Sequence, residues 1–291
     1  MMFHQITAEI FIPDEVPVEQ ALERTTHLTI SAHQDDIEIM AAAPILDCFQ
    51  NPDQWFTGVV ITDGRGSPRN GLYQHYSDEE MRLVRFKEQK KAAVIGEYAA
   101  QIMLDYPSNI IKDSSETDPV EDILAILNST RPKIVYTHNL ADKHDSHVAV
   151  ALRVIQAIRR MPETVRPEKF FGCEVWRGLD WMLDTEKLSF DVSRHENIQA
   201  SLVGVFDSQI TGGKRYDLAS MGRRRANATY FQSHGVDTAQ GVIYGMDLTP
   251  LIENRHQDIA EFVDAHIQGF AADVAGQISR YQLNGPNQEE G

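Results

Sequence analysis

His27-Leu28-Thr29-Ile30-Ser31-Ala32-His33-Gln34-Asp35-Asp36 begins as a β-branched apolar run and breaks off into a histidine and two carboxylates. Such a run reads as a strand buried on both faces, which needs no polar alternation. The pattern returns about a hundred residues later, where Lys133-Ile134-Val135-Tyr136-Thr137 is followed by His144-Asp145-Ser146-His147. Both polar clusters are thereby expected at the carboxyl ends of strands, the edge of an open α/β sheet on which ligands bind.

Further strand-like runs cover residues 56–62, 101–104 and 170–175, and helical patterns lie between them. In residues 78–95, Met81, Val84, Ala92 and Ile95 recur at helical spacing, Ser77 and Glu80 form a capping-box pair, and Gly96 marks the end. Asp118-Pro119 opens a second helix with the apolar residues Ile123, Leu124, Ile126 and Leu127, stopped by Arg131-Pro132. A third is expected over residues 146–160, which puts His147 in its first turn. The alternation predicts an α/β fold, a Rossmann-like, mostly parallel sheet with helices on both faces.

After Asp180 the pattern changes to a strand over residues 190–193, helices over 196–206 and 216–231, and a long final helix over 254–283. No linker rich in Pro, Gly or Ser intervenes. The organisation expected is an N-terminal extension (1–26), a Rossmann-like catalytic core (27–180) and a C-terminal part (181–291) of the same domain that completes the pocket. The final helix either caps the domain or packs on another subunit.

Composition narrows the partners. The 43 acidic and 27 basic residues of this 291-residue chain give a net charge of −16, which repels nucleic acid and anionic membranes. Cys48 and Cys173 lack metal-ligand spacing and fit a reducing compartment. With no basic leader pattern and no run of ~18 apolar residues, a cytoplasmic location is expected.

His and carboxylate are the residue types that zinc takes in catalytic sites with three protein ligands and an open position. His33 and Asp36, three apart in a turn, can converge on one ion, and His147 would complete the set. Asp35 would accept a proton from the metal-activated water. His144 would donate to the oxyanion or the leaving amine. The class of reaction is hydrolysis of an amide or ester. His138, also at a strand end, could replace His144 or His147, although a backbone-bonded buried histidine is common there. Thr62-Asp63-Gly64-Arg65-Gly66-Ser67 lacks the spacing of a nucleotide-binding loop. Arg65 is read with equal weight as a pocket donor or as part of a solvated turn.

Ala32-His33-Gln34-Asp35-Asp36-Ile37-Glu38 resembles the A-H-P-D-D-E-E opening of the zinc-dependent PIG-L, or LmbE-like, de-N-acetylases. Arg85-x-x-Glu88-x-x-x-Ala92-x-x-x-Gly96 resembles a helix of that family, and His144-Asp145-Ser146-His147 stands where the family has H-P-D-H. The resemblance runs from about residue 27 to residue 180. It implies one Zn2+ per chain, or another divalent metal, held by His33, Asp36 and His147, with Asp35 as general base and His144 as acid. Arg85 would contact sugar hydroxyls. It also implies removal of an N-acetyl group from an N-acetylglucosamine-type sugar in a small glycoconjugate, and a homo-oligomer such as a trimer or hexamer. Gln34 and Ile37 depart from the pattern, and the acid of the second motif is displaced to Asp145. The rivals are a metal hydrolase of a different amide or ester on the same fold, and a non-catalytic carbohydrate-binding relative.

Overall fold

The computed structural model describes residues 1–282, so Leu283 of the expected final helix lies outside them. Eight strands form one mixed sheet: β1 (Glu9–Phe11), β2 (His27–Ser31), β3 (Phe56–Thr62), β4 (Ala100–Tyr106), β5 (Ile134–His138), β6 (Lys169–Cys173), β7 (Lys187–Asp191) and β8 (Val242–Asp247), in the order β1-β4-β3-β2-β5-β6-β8-β7. The five central strands, β4-β3-β2-β5-β6, run parallel. β1, β7 and β8 pair antiparallel at the edges.

From β2 the chain winds outward through β3 and β4, then crosses back to β5 on the other side. The order therefore reverses between β2 and β5, and the loops leaving these two strands diverge there into a crevice. Those loops carry His33–Asp36 and His144–His147.

The helices are α1 (Val18–Glu23), α2 (Asp36–Met40), α3 (Ala42–Cys48), α4 (Asp78–Ile95), α5 (Ser108–Lys112), α6 (Asp118–Thr130), α7 (Asp145–Arg160), α8 (Glu196–Gly204), α9 (Asp207–Ile210), α10 (Tyr216–Tyr230), α11 (Thr249–Glu253) and α12 (Ile259–Tyr281). They cover both faces of the sheet, and the period-2 alternation of the strands divides the core accordingly. Val59 and Ile61 pack with Ile123, Ile126 and Leu127 of α6 and Val150, Val154 and Ile158 of α7. Val60 points the other way, into a cluster with Ile37, Met40 and Ile45 and with Phe86 and Ala92 of α4.

The expected capping box is present: Ser77 Oγ accepts from the Glu80 amide at 3.3 Å, and the Glu80 carboxylate accepts from the Ser77 amide at 2.8 Å. Ser77→Ala is expected to lower stability by about 1 kcal/mol, read from the midpoint of urea unfolding, because an orphan amide of the first turn loses its acceptor.

β1 and β8 are the strands without a counterpart in the sequence reading. β1 is too short for a periodic signal. In β8, Gly245 interrupts the apolar run; any Cβ there would meet the Phe190 ring at 2.6 Å. Residues 9–11 and 242–247 thus extend the central sheet from both termini.

Candidate metal centre and active-site pocket

The turn after β2 holds its shape through strained backbone and buried polar contacts. Asp35 adopts φ +83° immediately before α2, a region that residues with a Cβ rarely enter. Its amide donates to Gln89 Oε1 at 3.3 Å, and its carboxylate accepts from the Arg85 guanidinium at 2.9 Å. The same guanidinium also donates to the Gln34 carbonyl. Arg85 and Gln89 lie one turn apart on α4 and are both buried, so that helix turns a polar stripe toward the 33–38 turn.

Gln34 is fully buried, and its amide donates to the Thr62 carbonyl at 3.1 Å. Its carboxamide lies over Gly64, where φ is +69° and a Cβ would stand 2.3 Å from Gln34 Oε1. Gly64→Ala is expected to destabilise the fold and push Gln34 aside, so that a lowered melting temperature comes with weaker metal affinity; either change alone would show that the two loops are not coupled.

Asp36 follows as the first residue of α2. Its Oδ2 accepts from the His33 amide at 2.7 Å, which directs the carboxylate back toward the His33 ring. His147, in the first turn of α7, meets both from the β5 side. His33 Nδ1 lies 3.2 Å from Asp36 Oδ2 and 3.2 Å from His147 Nε2, and the latter two are 3.3 Å apart. A tetrahedral ion with bonds of about 2.0–2.1 Å spaces its ligand atoms roughly 3.3–3.4 Å apart. The three donor atoms therefore already form one face of such a polyhedron, and the donor set fits zinc.

Surrounding groups fix this arrangement. Asp142 Oδ2 lies 3.5 Å from His147 Nδ1, the position of the carboxylate that orients a metal-ligating histidine. Asp142 is itself held by the backbone amides of His144 and Trp176, each at 3.1 Å. His138 stacks on His147 with ring centroids 3.8 Å apart. Its Nε2 accepts from the Ala32 amide at 2.8 Å and lies 3.5 Å from Asp36. With that nitrogen bonded to backbone, His138 acts as a floor beneath the cluster.

Burial sets the charge states. Burial pushes the Asp35 carboxyl up to about 7 against the pull of Arg85. Burial opposes ionisation of Asp36 too, but the His147 and His138 imidazoles hold its carboxyl well below the usual carboxylate range. Burial disfavours a charged His147 as well, yet Asp36 and Asp142 lift it to about 9. Burial, helped by the His33 and His147 rings, lowers His144, which keeps it neutral. Two adjacent carboxylates thus have opposite proton affinities, the division of labour that a base beside a metal ligand requires.

A pocket of about 410 Å³ opens over this cluster, within the range of small-molecule sites. His33, Asp35, Asp36, Arg85 and His144 line it. Arg65 does not: its guanidinium is tied back to Asp63 at 2.6 Å, because the Asp63 carboxylate also anchors the Arg65 amide and fixes the turn. Neighbouring Gly64, Gly66 and Ser67 form that wall instead.

The opposite wall comes from residues that sequence reasoning did not single out: Trp176, Gln209, Lys214 and Tyr216, with Ser108 and Lys112 at the rim. The Tyr216 ring meets Trp176 edge-on at 6.0 Å, and Lys214 Nζ lies 5.0 Å from the Trp176 ring centroid. Trp176 follows the end of β6 on the ligand-binding edge, a position that could have marked it. The segment bearing Gln209 is docked by Glu88, whose carboxylate accepts from the Ser208 amide at 2.7 Å and hydroxyl at 2.6 Å.

Residues 28–158 match the PIG-L family, described as GlcNAc-PI de-N-acetylase. No curated protein matches the chain in sequence. Among solved structures, GalB, the 4-carboxy-2-hydroxymuconate hydratase of Pseudomonas putida KT2440, is 14% identical, with a TM-score of 0.60 over 77% of this chain and 96% of that one. The N,N'-diacetylchitobiose deacetylase of Pyrococcus horikoshii is 17% identical, with a TM-score of 0.57 over 76% and 83%. The A40926 pseudoaglycone deacetylase Dbv21 is 15% identical, with a TM-score of 0.56 over 77% and 97%. At these identities the likeness is one of fold.

Proposed function

We propose, on the match of residues 28–158 to the PIG-L family, that the protein is a zinc-dependent deacetylase that removes the N-acetyl group from an N-acetylglucosamine-type sugar in a small glycoconjugate. The observation that carries the reading is the triangle of His33 Nδ1, Asp36 Oδ2 and His147 Nε2, with edges of 3.2–3.3 Å, beside a buried Asp35. His33, Asp36 and His147 would hold the ion, which when bound supplies Lewis acidity toward water and the amide carbonyl.

The chain's own groups do the rest. Asp35, kept proton-hungry by burial and aimed by Arg85, takes a proton from the attacking water. His144, neutral and at the pocket wall, donates a hydrogen bond to the carbonyl oxygen as negative charge develops there, and the proton that Asp35 took from water goes on to the leaving amine. Trp176 and Tyr216 offer apolar ring surface for a sugar face. Arg85 is committed to Asp35 and the Gln34 carbonyl, so it positions the base in addition to bordering the pocket.

A second reading is favoured by Lys112 and Lys214. Both line the pocket, and among the described residues neither takes part in an ion pair, although the chain carries a net charge of −16. Two free cations suit an anionic substrate, and a metal with a base also serves addition of water to a carbon–carbon double bond, the chemistry named for GalB. Fold alone does not select the reaction.

Acetate release from N-acetylglucosaminides with neutral, carboxylated and phosphorylated aglycones tests the first reading. Turnover is expected on at least one of them, with Lys214→Met raising KM selectively for the anionic members. No acetate from any of the panel, together with hydration of an unsaturated polycarboxylate, would replace the deacetylase with the second reading.

A further inference from the structure

A second pocket, of about 510 Å³, shares no lining residue with the one over the metal centre. It is walled by the chain after β7, by α8 and α10, and by residues 237–241 ahead of β8. Its volume suits a small metabolite.

Arg224 of α10 gives this pocket its character. It lines the cavity yet is only 3% exposed, and burial alone pushes its guanidinium down to about 10, because among the described residues no carboxylate stands close enough to oppose the effect. Its Nη1 donates to Gln199 Oε1 at 2.9 Å, and its Nη2 donates to the Glu38 and Ile39 carbonyls at 2.7 and 3.2 Å. All three acceptors are neutral. Among the described residues Nε has no partner at all. Dipoles thus hold the cation in place without neutralising it, whereas a buried charge ordinarily carries a counter-ion.

The acids that share the pocket are engaged elsewhere. Glu196 pairs with Arg225, and Asp237 accepts from the Thr229 hydroxyl at 2.9 Å. The charge left open is therefore positive, in a chain whose net charge of −16 otherwise turns anions away. Thr238 and Gln240 add a hydroxyl and a carboxamide to the wall, groups that hydrogen-bond to hydroxyls. We propose that this pocket is a second small-molecule site, which takes a hydroxylated metabolite bearing one phosphate or carboxylate and seats that oxyanion beside Arg224. The assignment does not depend on the reaction at the metal centre.

Isothermal titration calorimetry of the full chain with glucose 6-phosphate, gluconate and glucose tests it. One or both anions are expected to bind with a dissociation constant below about 1 mM, and neutral glucose to give no heat; the anion that binds names the oxyanion. Arg224→Met is expected to abolish binding. Because Arg224 is buried and its loss could unfold the chain, a second pair of variants decides the matter at Thr238, which is exposed. Thr238→Glu is expected to weaken the anion by about threefold and Thr238→Lys to tighten it by a similar factor, as one charge across a wet pocket would do. Lys214→Met and His147→Ala, at the metal centre, are expected to leave this binding unchanged. No heat from either anion, equal binding of glucose, indifference to the Thr238 pair, or loss of binding in Lys214→Met or His147→Ala would each overturn the assignment.

Discussion

Asp35→Asn is expected to reduce turnover by about 10²- to 10⁴-fold, the usual worth of a positioned general base, while metal content stays at the wild-type level. Asparagine keeps the shape and a hydrogen bond to Arg85 but cannot accept the proton. The separation of the two readouts is the point: Asp35 is no corner of the ligand triangle, so a loss of metal with the activity would assign it to the metal site instead. Unchanged turnover would remove it from the chemistry. In the wild type, rate should fall toward acid as Asp35 takes up a proton. Burial pushes that group up to about 7, and a divalent cation beside it draws the inflection lower, so the acid limb is expected at or below about 7. Arg85→Met, which strips the opposing charge, should move the limb upward.

The second large effect concerns the metal. His147→Ala removes one corner of the triangle and leaves Asp36 with only His33 and His138 beside it, and metal occupancy after dialysis is expected to fall below a tenth of the wild-type value. Asp142→Asn should weaken binding by about 10- to 100-fold, the typical cost of losing the carboxylate that orients a ligand histidine. Because Asp36 and Asp142 lift His147 to about 9, a proton must leave its ring when metal binds, so affinity should increase with pH up to that value. Zinc at a hundred times its dissociation constant stabilises the folded chain by about 2.7 kcal/mol. For a domain of this size that corresponds to a rise in melting temperature of roughly 5–11 °C. Differential scanning fluorimetry with chelator and with added zinc measures it directly; equal melting temperatures would mean that the triangle holds no ion.

Much of the candidate site was legible in advance because it is local. A β-branched run followed by a polar turn places His33, Asp35 and Asp36 at the end of β2, and capping residues and periodicity mark out α4. These features depend on neighbours within a few positions, where chain geometry alone decides which side chains share a face. The paired motifs also pointed to the same edge of one sheet, since parallel connection leaves all strand carboxyl ends together.

Distance along the chain hid the rest. Arg65 sits in a loop that could face either way, and the Asp63 carboxylate turned it from the pocket. The roles of His138 and Asp142 depend on contacts with the Ala32 amide and the His147 ring that come from separate strands and turns. Trp176, Gln209, Lys214 and Tyr216 gather only after β8 and β7 close the sheet edge and Glu88 pins Ser208, and no local period encodes such a meeting. By itself the sequence determined the parallel α/β architecture and the residue types of the candidate metal centre, since backbone sterics and side-chain periodicity act over short range. Only the tertiary structure decided which donors converge within 3.3 Å, which cations stay free in the pocket and which arginine of α10 is buried beside a second one, because those outcomes depend on packing between elements brought together across the whole chain.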